Sequence, residues 1–306
     1  MNPDQVGQLN PTERFLYWVK ERHEIYKRRQ AGRDKPWTDD EILQRYFFTN
    51  PYRENDKVSV WFRENVRDPL KDDPRVLFAT VAFRWFNLPT TGLILMGHLR
   101  SDEVTSWDRS WGKSNLLLKW DEEEAVARLN HLWDNGNNPV FTGAFMVKAG
   151  NGPRGSKIPS VCGCITKIWE ARKDLVKVCR EDCRLQALWA ALRKFRGLGG
   201  FMSYEIVCDL RYTSLLENAS DVDSWCNIGP GAKRGMNRLM GTPLEATISS
   251  DTWGVQTRIL LEVLRSRLKD MPRFEMREVE HSLCEFDKYE RLRLGEGRSK
   301  RRYNGT

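Results

Sequence analysis

Apolar residues recur at three- and four-residue spacing along most of this chain, the mark of amphipathic helices rather than the two-residue alternation of strands. Phe15, Trp18, Val19, His23 and Tyr26 share one face of a helix predicted over 12–30, with Thr12 as its cap. Thr38 is placed to cap a second helix over 39–48. The same period predicts helices near 56–66, 74–86, 121–135, 180–196 and 252–269. Residues 135–160, NGNNPVFTGAFMVKAGNGPRGSKIPS, interrupt the pattern with glycine and proline. Only their VFTGAFMV core suits a short strand or buried extended segment. The expectation is a mainly α fold with a minor extended or β element. The break near 153–159 divides it into an N-terminal helical half over 1–150 and a second half over 151–290. Residues 291–306, rich in arginine and glycine, read as a basic arm.

Composition narrows the class. The 306 residues are 40% hydrophobic and 30% charged and include 12 tryptophans, which describes a folded chain rather than a disordered one. The net charge of +8 suits a polyanionic partner without requiring one. The longest apolar run, 93–96, is far too short to span a bilayer, and the first residues, MNPDQVGQLNPTERF, lack the charged start and apolar middle of a signal peptide. Seven cysteines, an odd number, do not suggest a disulfide framework. A cytoplasmic monomer away from membranes is expected.

The chemistry concentrates around two glycine turns. Leu185, Leu188, Leu192 and Phe195 give one helix its packing face, and Met202, Ile206 and Val207 give the next. Between them Gly197-Leu198-Gly199 forms a tight turn, and Asp221 follows 22 residues after Gly199. This is the arrangement of a helix-hairpin-helix DNA glycosylase. The glycines let backbone amides approach a DNA phosphate, and the aspartate faces an extruded nucleotide. Asp221 there steadies positive charge developing on the sugar or activates water; Asp209 is the other nearby carboxylate. The plainer alternatives are a glycine C-cap, an N-cap at Asp221 and an ion pair or cap at Asp209. The second turn, Gly229-Pro230-Gly231, leads to Lys233 and Arg234, which suit a phosphate or are ordinary solvated cations.

Two further clusters complete the candidates. Trp37, Phe48 and Tyr52, with Asn50, Arg53 and Asp56, could stack on a base and read its edge, or form core. Near the C-terminus Val279, Leu283 and Phe286 make a buried stripe beside Glu280, His281, Cys284, Glu285 and Asp287. Those polar groups line a cleft, form structural ion pairs or, least in keeping with their spacing, hold a metal. Trp111-Gly112-Lys113-Ser114 imitates a P-loop ending, but position 107 is tryptophan where the first glycine belongs, and Gly150-Asn151-Gly152 runs directly into Pro153. Neither nucleotide cofactor nor phosphorylation is therefore expected. Cys162, Cys164, Cys179 and Cys183 match no common metal framework and read as free thiols; no metal and no cofactor are expected.

Four blocks, WTDDEILQRYFFTNPYRENDK, FMSYEIVCDLRYT, GPGAKRGMNRL and EVEHSLCEFDKYERLRLGEGR, resemble the alpha-glutamyl/putrescinyl thymine pyrophosphorylases and the helical domain that accompanies 5-hydroxymethyluracil DNA kinases. The resemblance implies a fold similar to helix-hairpin-helix DNA glycosylases and modified phage DNA as partner. It marks Asn50, Arg53, Asp56, Asp209, Asp221, His281 and Asp287 as cleft residues. Phe201 stands where bifunctional glycosylases carry a lysine, which argues against a Schiff-base step although Lys233 remains an amine near a glycine turn. The leading expectation is excision of a flipped, hypermodified pyrimidine in phage defence. The alternatives are displacement of pyrophosphate from the base's 5-methylene by an amine, and a non-catalytic DNA-binding module.

Overall fold

Asn10 starts the first long helix: its Oδ1 accepts the Glu13 amide at 3.0 Å, and Pro11 fills the first position, where no donor is needed. The computed structural model describes residues 1, 3–97, 114–135, 139–143, 147 and 157–297. Among these the chain forms thirteen α-helices. They are α1 (Pro3–Gly7), α2 (Pro11–Gln30), α3 (Glu41–Arg45), α4 (Lys57–Phe62), α5 (Val76–Phe86), α6 (Pro89–Leu95) and α7 (Glu122–Asn135). Then follow α8 (Lys157–Glu181), α9 (Leu185–Leu192), α10 (Gly200–Leu210), α11 (Pro230–Met240), α12 (Ser250–Arg267) and α13 (Met276–Arg293). The mainly α expectation holds. No strand occurs among the described residues, and 144–146 of the predicted extended element lie outside them. None of the described helices is long and apolar enough to cross a membrane.

The chain divides into two units, residues 1–56 with 222–306, and residues 57–221. This corrects the expected border at 150, which falls inside the second unit. The reason is a contact between distant parts of the chain: α2 packs on α13, where Arg14 pairs with Glu290 at 3.1 Å and Phe15 meets Phe286 edge to face at 5.4 Å. The expected arm does not begin at 291 either, because α13 continues to Arg293; residues 298–306 lie outside the described residues.

In the first unit, Val279, Leu283, Phe286 and Tyr289 of α13 form an apolar stripe with no exposed surface. Glu275 and Glu278 close a capping box at its start. Asp40, not Thr38, caps α3. One Asp40 oxygen accepts the amides of Ile42 and Leu43, and the other accepts the hydroxyls of Tyr17 and Tyr289. Thr38 supports Asp40 by accepting its amide.

In the second unit every residue of α5 is buried. Its lone charge, Arg84, forms a two-pronged pair with Asp209 of α10 at 2.5 and 2.8 Å, both side chains being 1% exposed. Desolvation makes such a pair costly to break from either side. The helix expected over 180–196 is confined to α9. The longer α8 precedes it, and 182–184 separate the two.

Candidate functional site

The first glycine turn joins α9 to α10 as the sequence predicts. Gly197 has φ +87, and a Cβ there would run into the Trp85 ring, so glycine is required twice over. Trp189 Nε1 donates to the Gly200 carbonyl at 2.9 Å and locks the corner. Gly199 is different: φ is −79, and nothing lies within 4 Å of where its Cβ would be. Phe201, one residue into α10, is 46% exposed. The start of α10 therefore borders open space.

The two carboxylates assigned to this hairpin have other tasks. Asp221 is buried, and its oxygens accept the amides of Leu185 and Gln186 at 2.7 and 2.9 Å, so it caps α9. Asp209 is held by Arg84. Neither presents a carboxylate to a nucleotide, which corrects the expectation for both.

The second glycine turn opens α11 in the first unit and faces inward. A Cβ at Gly229 would lie 2.6 Å from Glu280 Oε1, one at Gly231 would strike Cys284 Sγ, and one at Gly235 would strike the Leu283 carbonyl. These glycines let α11 lie directly on α13. The Glu280 carboxylate also supplies the negative charge that a helix start favours. Lys233 approaches Glu245 at 3.8 Å. Arg234, Arg238 and Arg291 converge on the buried Asp287 at 3.0, 2.9 and 3.4 Å. Lys233 and Arg234 are thus ion-paired rather than solvated.

Across α13 lies the turn at 49–56. Asn50 donates its backbone and side-chain N–H groups to Asp56 Oδ1 at 3.0 and 2.7 Å, and Arg53 pairs with Asp56 Oδ2 at 2.8 Å. The three predicted residues do come together, with Asp56 as the tie. Asn50 Oδ1 is buried and accepts no hydrogen bond among the described residues. The Thr49 amide donates to Glu285, which fixes the turn to α13. His281 Nε2 lies 3.7 Å from Glu280 Oε2. Cys284, one turn on, keeps an exposed surface although it is crowded by protein. Burial and the carboxylates of Glu280, Glu285 and Asp287 push its thiol pKa up, against the opposing pull of Arg53. It is a neutral thiol and a poor nucleophile.

The predicted aromatic cluster separates. Tyr52 is core: its hydroxyl donates to the Pro272 carbonyl, and its ring packs on Phe274 and His23 at 5.3 Å each. Trp37 and Phe48 instead line a cavity of about 140 Å³ with Ile25, Leu43, Tyr46 and Phe47. Arg22, Arg29 and Lys35 also line it, and sequence reasoning missed them. The available signal was the spacing of Arg22, Ile25 and Arg29, which places them on one face of α2.

None of the seven cysteines is joined in a disulfide bond. Among the described residues no group of three or more His, Cys, Asp or Glu side chains is placed to hold a metal ion. Both glycine-rich decoys fall at least partly outside the described residues.

Comparison with known proteins supplies the context for this geometry. The family described as 5-hmdU DNA kinase, helical domain, matches residues 10–299. A 5-hmdU DNA kinase of Bacillus phage SP10 is 25% identical over 249 residues, which cover 76% of this chain and 36% of that protein. The chain thus spans little more than a third of that relative's length. No solved structure matches significantly. The family match runs through the aromatic cluster, both glycine turns and α13, and the chain belongs to the 5-hmdU DNA kinase helical-domain family.

Proposed function

We propose that this domain binds DNA carrying a 5-hydroxymethyluracil-derived base and serves chemistry at that base's 5-methylene rather than at its glycosidic bond. The family match over 10–299 carries the reading, since the relative is named for its action on 5-hmdU in DNA. The engagement of both Asp221 oxygens by α9 amides weighs against excision, because that carboxylate is occupied as a cap.

Taken by itself, the second unit offers the open start of α10, whose amides suit a phosphate. Asn50 Oδ1, a buried acceptor lacking a donor, suits the N3–H of a pyrimidine-2,4-dione, and Arg53 suits a neighbouring carbonyl. The group exchange that fits is attack by an amine on the 5-methylene. A C–N bond forms, the C–O bond breaks, and pyrophosphate leaves with the bonding electrons. The amine's proton passes to His281, oriented by Glu280.

Duplexes containing thymine or 5-hydroxymethyluracil test the binding claim. The modified duplex should bind about tenfold more tightly, the worth of roughly one base contact. His281→Asn should preserve that affinity while removing turnover of the pyrophosphorylated base with a primary amine. Equal affinity for the two duplexes would reject recognition of the base, and undiminished turnover by the variant would reject His281's role.

A further inference from the structure

The cavity beside Trp37 lies within the first unit, and its lining is divided by chemistry. Ile25, Leu43 and Phe48 are buried and apolar, while Arg29 and Lys35 flank the Trp37 ring at 5.0 and 5.2 Å from its centroid. Arg22 reaches the same space from α2 while its Nε and Nη2 donate to the Phe48 carbonyl at 3.1 and 3.0 Å. Among the described residues, no aspartate or glutamate lines it. The volume, about 140 Å³, is close to that of a cavity known to hold one benzene ring, so it admits a single six-membered ring.

We propose that this cavity binds a pyrimidine ring bearing a phosphate monoester, with the ring among Ile25, Leu43, Trp37 and Phe48 and the phosphate between Arg29 and Lys35. An apolar, aromatic-walled interior accepts the ring face. Cations at its edge select an anionic substituent over a neutral one, and a guanidinium suits phosphate oxygens through paired donors. The assignment rests on the reading that the domain handles modified pyrimidines, and it adds a holding site for the monoester whose lining shares no residue with the Asn50, Arg53 and His281 cluster. The same chemistry occurs in two sources, a base phosphorylated on its 5-methylene and a free pyrimidine nucleotide.

Calorimetric titration of the full chain separates them with three probes: 5-hydroxymethyluracil, its phosphate monoester, and thymidine 5′-monophosphate. The base monoester should bind about tenfold or more tightly than the neutral base, the size of one charge-assisted hydrogen bond. Lys35→Ala, at an exposed position, should erase most of that preference, and Leu43→Trp should block all three probes. Circular dichroism of each variant reports whether it folds; if Leu43→Trp does not, Lys35→Ala decides alone. Equal affinity for the neutral and phosphorylated base, or a preference untouched by Lys35→Ala, would overturn the proposal. Tighter binding of thymidine 5′-monophosphate than of the base monoester would overturn the base-substituent source. Retained monoester binding in a chain that does not discriminate modified duplexes would sink the functional reading while leaving the cavity assignment standing.

Discussion

The two glycine turns look alike on paper and behave oppositely in the fold. Each places glycines at the start of a helix and has charged residues nearby, so each suggested a phosphate cradle. At the first turn, Gly197 is pressed on Trp85 but Gly199 borders open space. At the second, Gly229, Gly231 and Gly235 all face α13, and the adjacent cations are ion-paired. Glycine serves close approach in both. What approaches is solvent or ligand at Gly199 and another helix at Gly235. Residue type alone does not reveal which, because the partner helix lies some fifty residues away along the chain.

The largest effect expected from this contrast is at Gly235→Val. Its side chain must displace the Leu283 backbone, so the variant should lose about 3 kcal/mol or more in chemical denaturation. A near-neutral result would mean that α11 does not lie so close to α13.

Next comes the acidity of the helix that receives this turn. Burial raises the Glu278 pKa from 4.5 to about 7, with the Arg277 charge opposing. Between those values the folded chain holds a proton that the unfolded chain releases. Stability from this group is therefore complete below pH 4.5 and is lost as pH rises through 7. Glu278→Gln keeps an acceptor for the Glu275 amide and removes the titration. It should be about 2 kcal/mol more stable than the parent at pH 8, with the gap closing near pH 4.5. A pH-independent difference would contradict the cause assigned.

Asp221 tests the first turn's helix pair. Asp221→Ala strips two amide caps from α9 and should cost about 1 to 2 kcal/mol, whereas Asp221→Asn retains one acceptor and should cost less than half as much. Equal losses in the two variants would point away from capping. The smallest effect belongs to Gly199→Ser. Its extended backbone and empty surroundings accept the side chain, and a serine cap should alter stability by no more than about 0.5 kcal/mol. DNA affinity should nevertheless fall, because the hydroxymethyl group intrudes where a phosphate would approach. Unchanged affinity would remove the first turn from the DNA contact.

Local periodicity made much of the fold legible. The face of Phe15, Trp18 and Val19 located α2 within a residue, and the hairpin at 185–210 was visible from its leucines and glycines. By contrast, α8 was hidden because Pro159 read as a boundary. Proline in the first turn of a helix loses no hydrogen bond, and Ile158, Val161, Cys162, Ile165 and Ile168 carry the missed helical face. The two-unit division was not legible because it rests on α2 meeting α13, a contact without local signature. Site reading failed in the same way. Asp209 and Asp221 were conspicuous as carboxylates near a hairpin, but their partners, Arg84 and the α9 amides, lie 125 and 35 to 36 residues away. That Asn50, Arg53 and Asp56 sit together was readable because their contacts close within six residues.

Mass spectrometry of nucleosides released from DNA containing pyrophosphorylated 5-hydroxymethyluracil, after incubation with the chain and a primary amine, tests the central claim most directly. The account predicts an amine adduct on the 5-methylene, release of pyrophosphate and an intact glycosidic bond. Free modified base with matching abasic sites would contradict it.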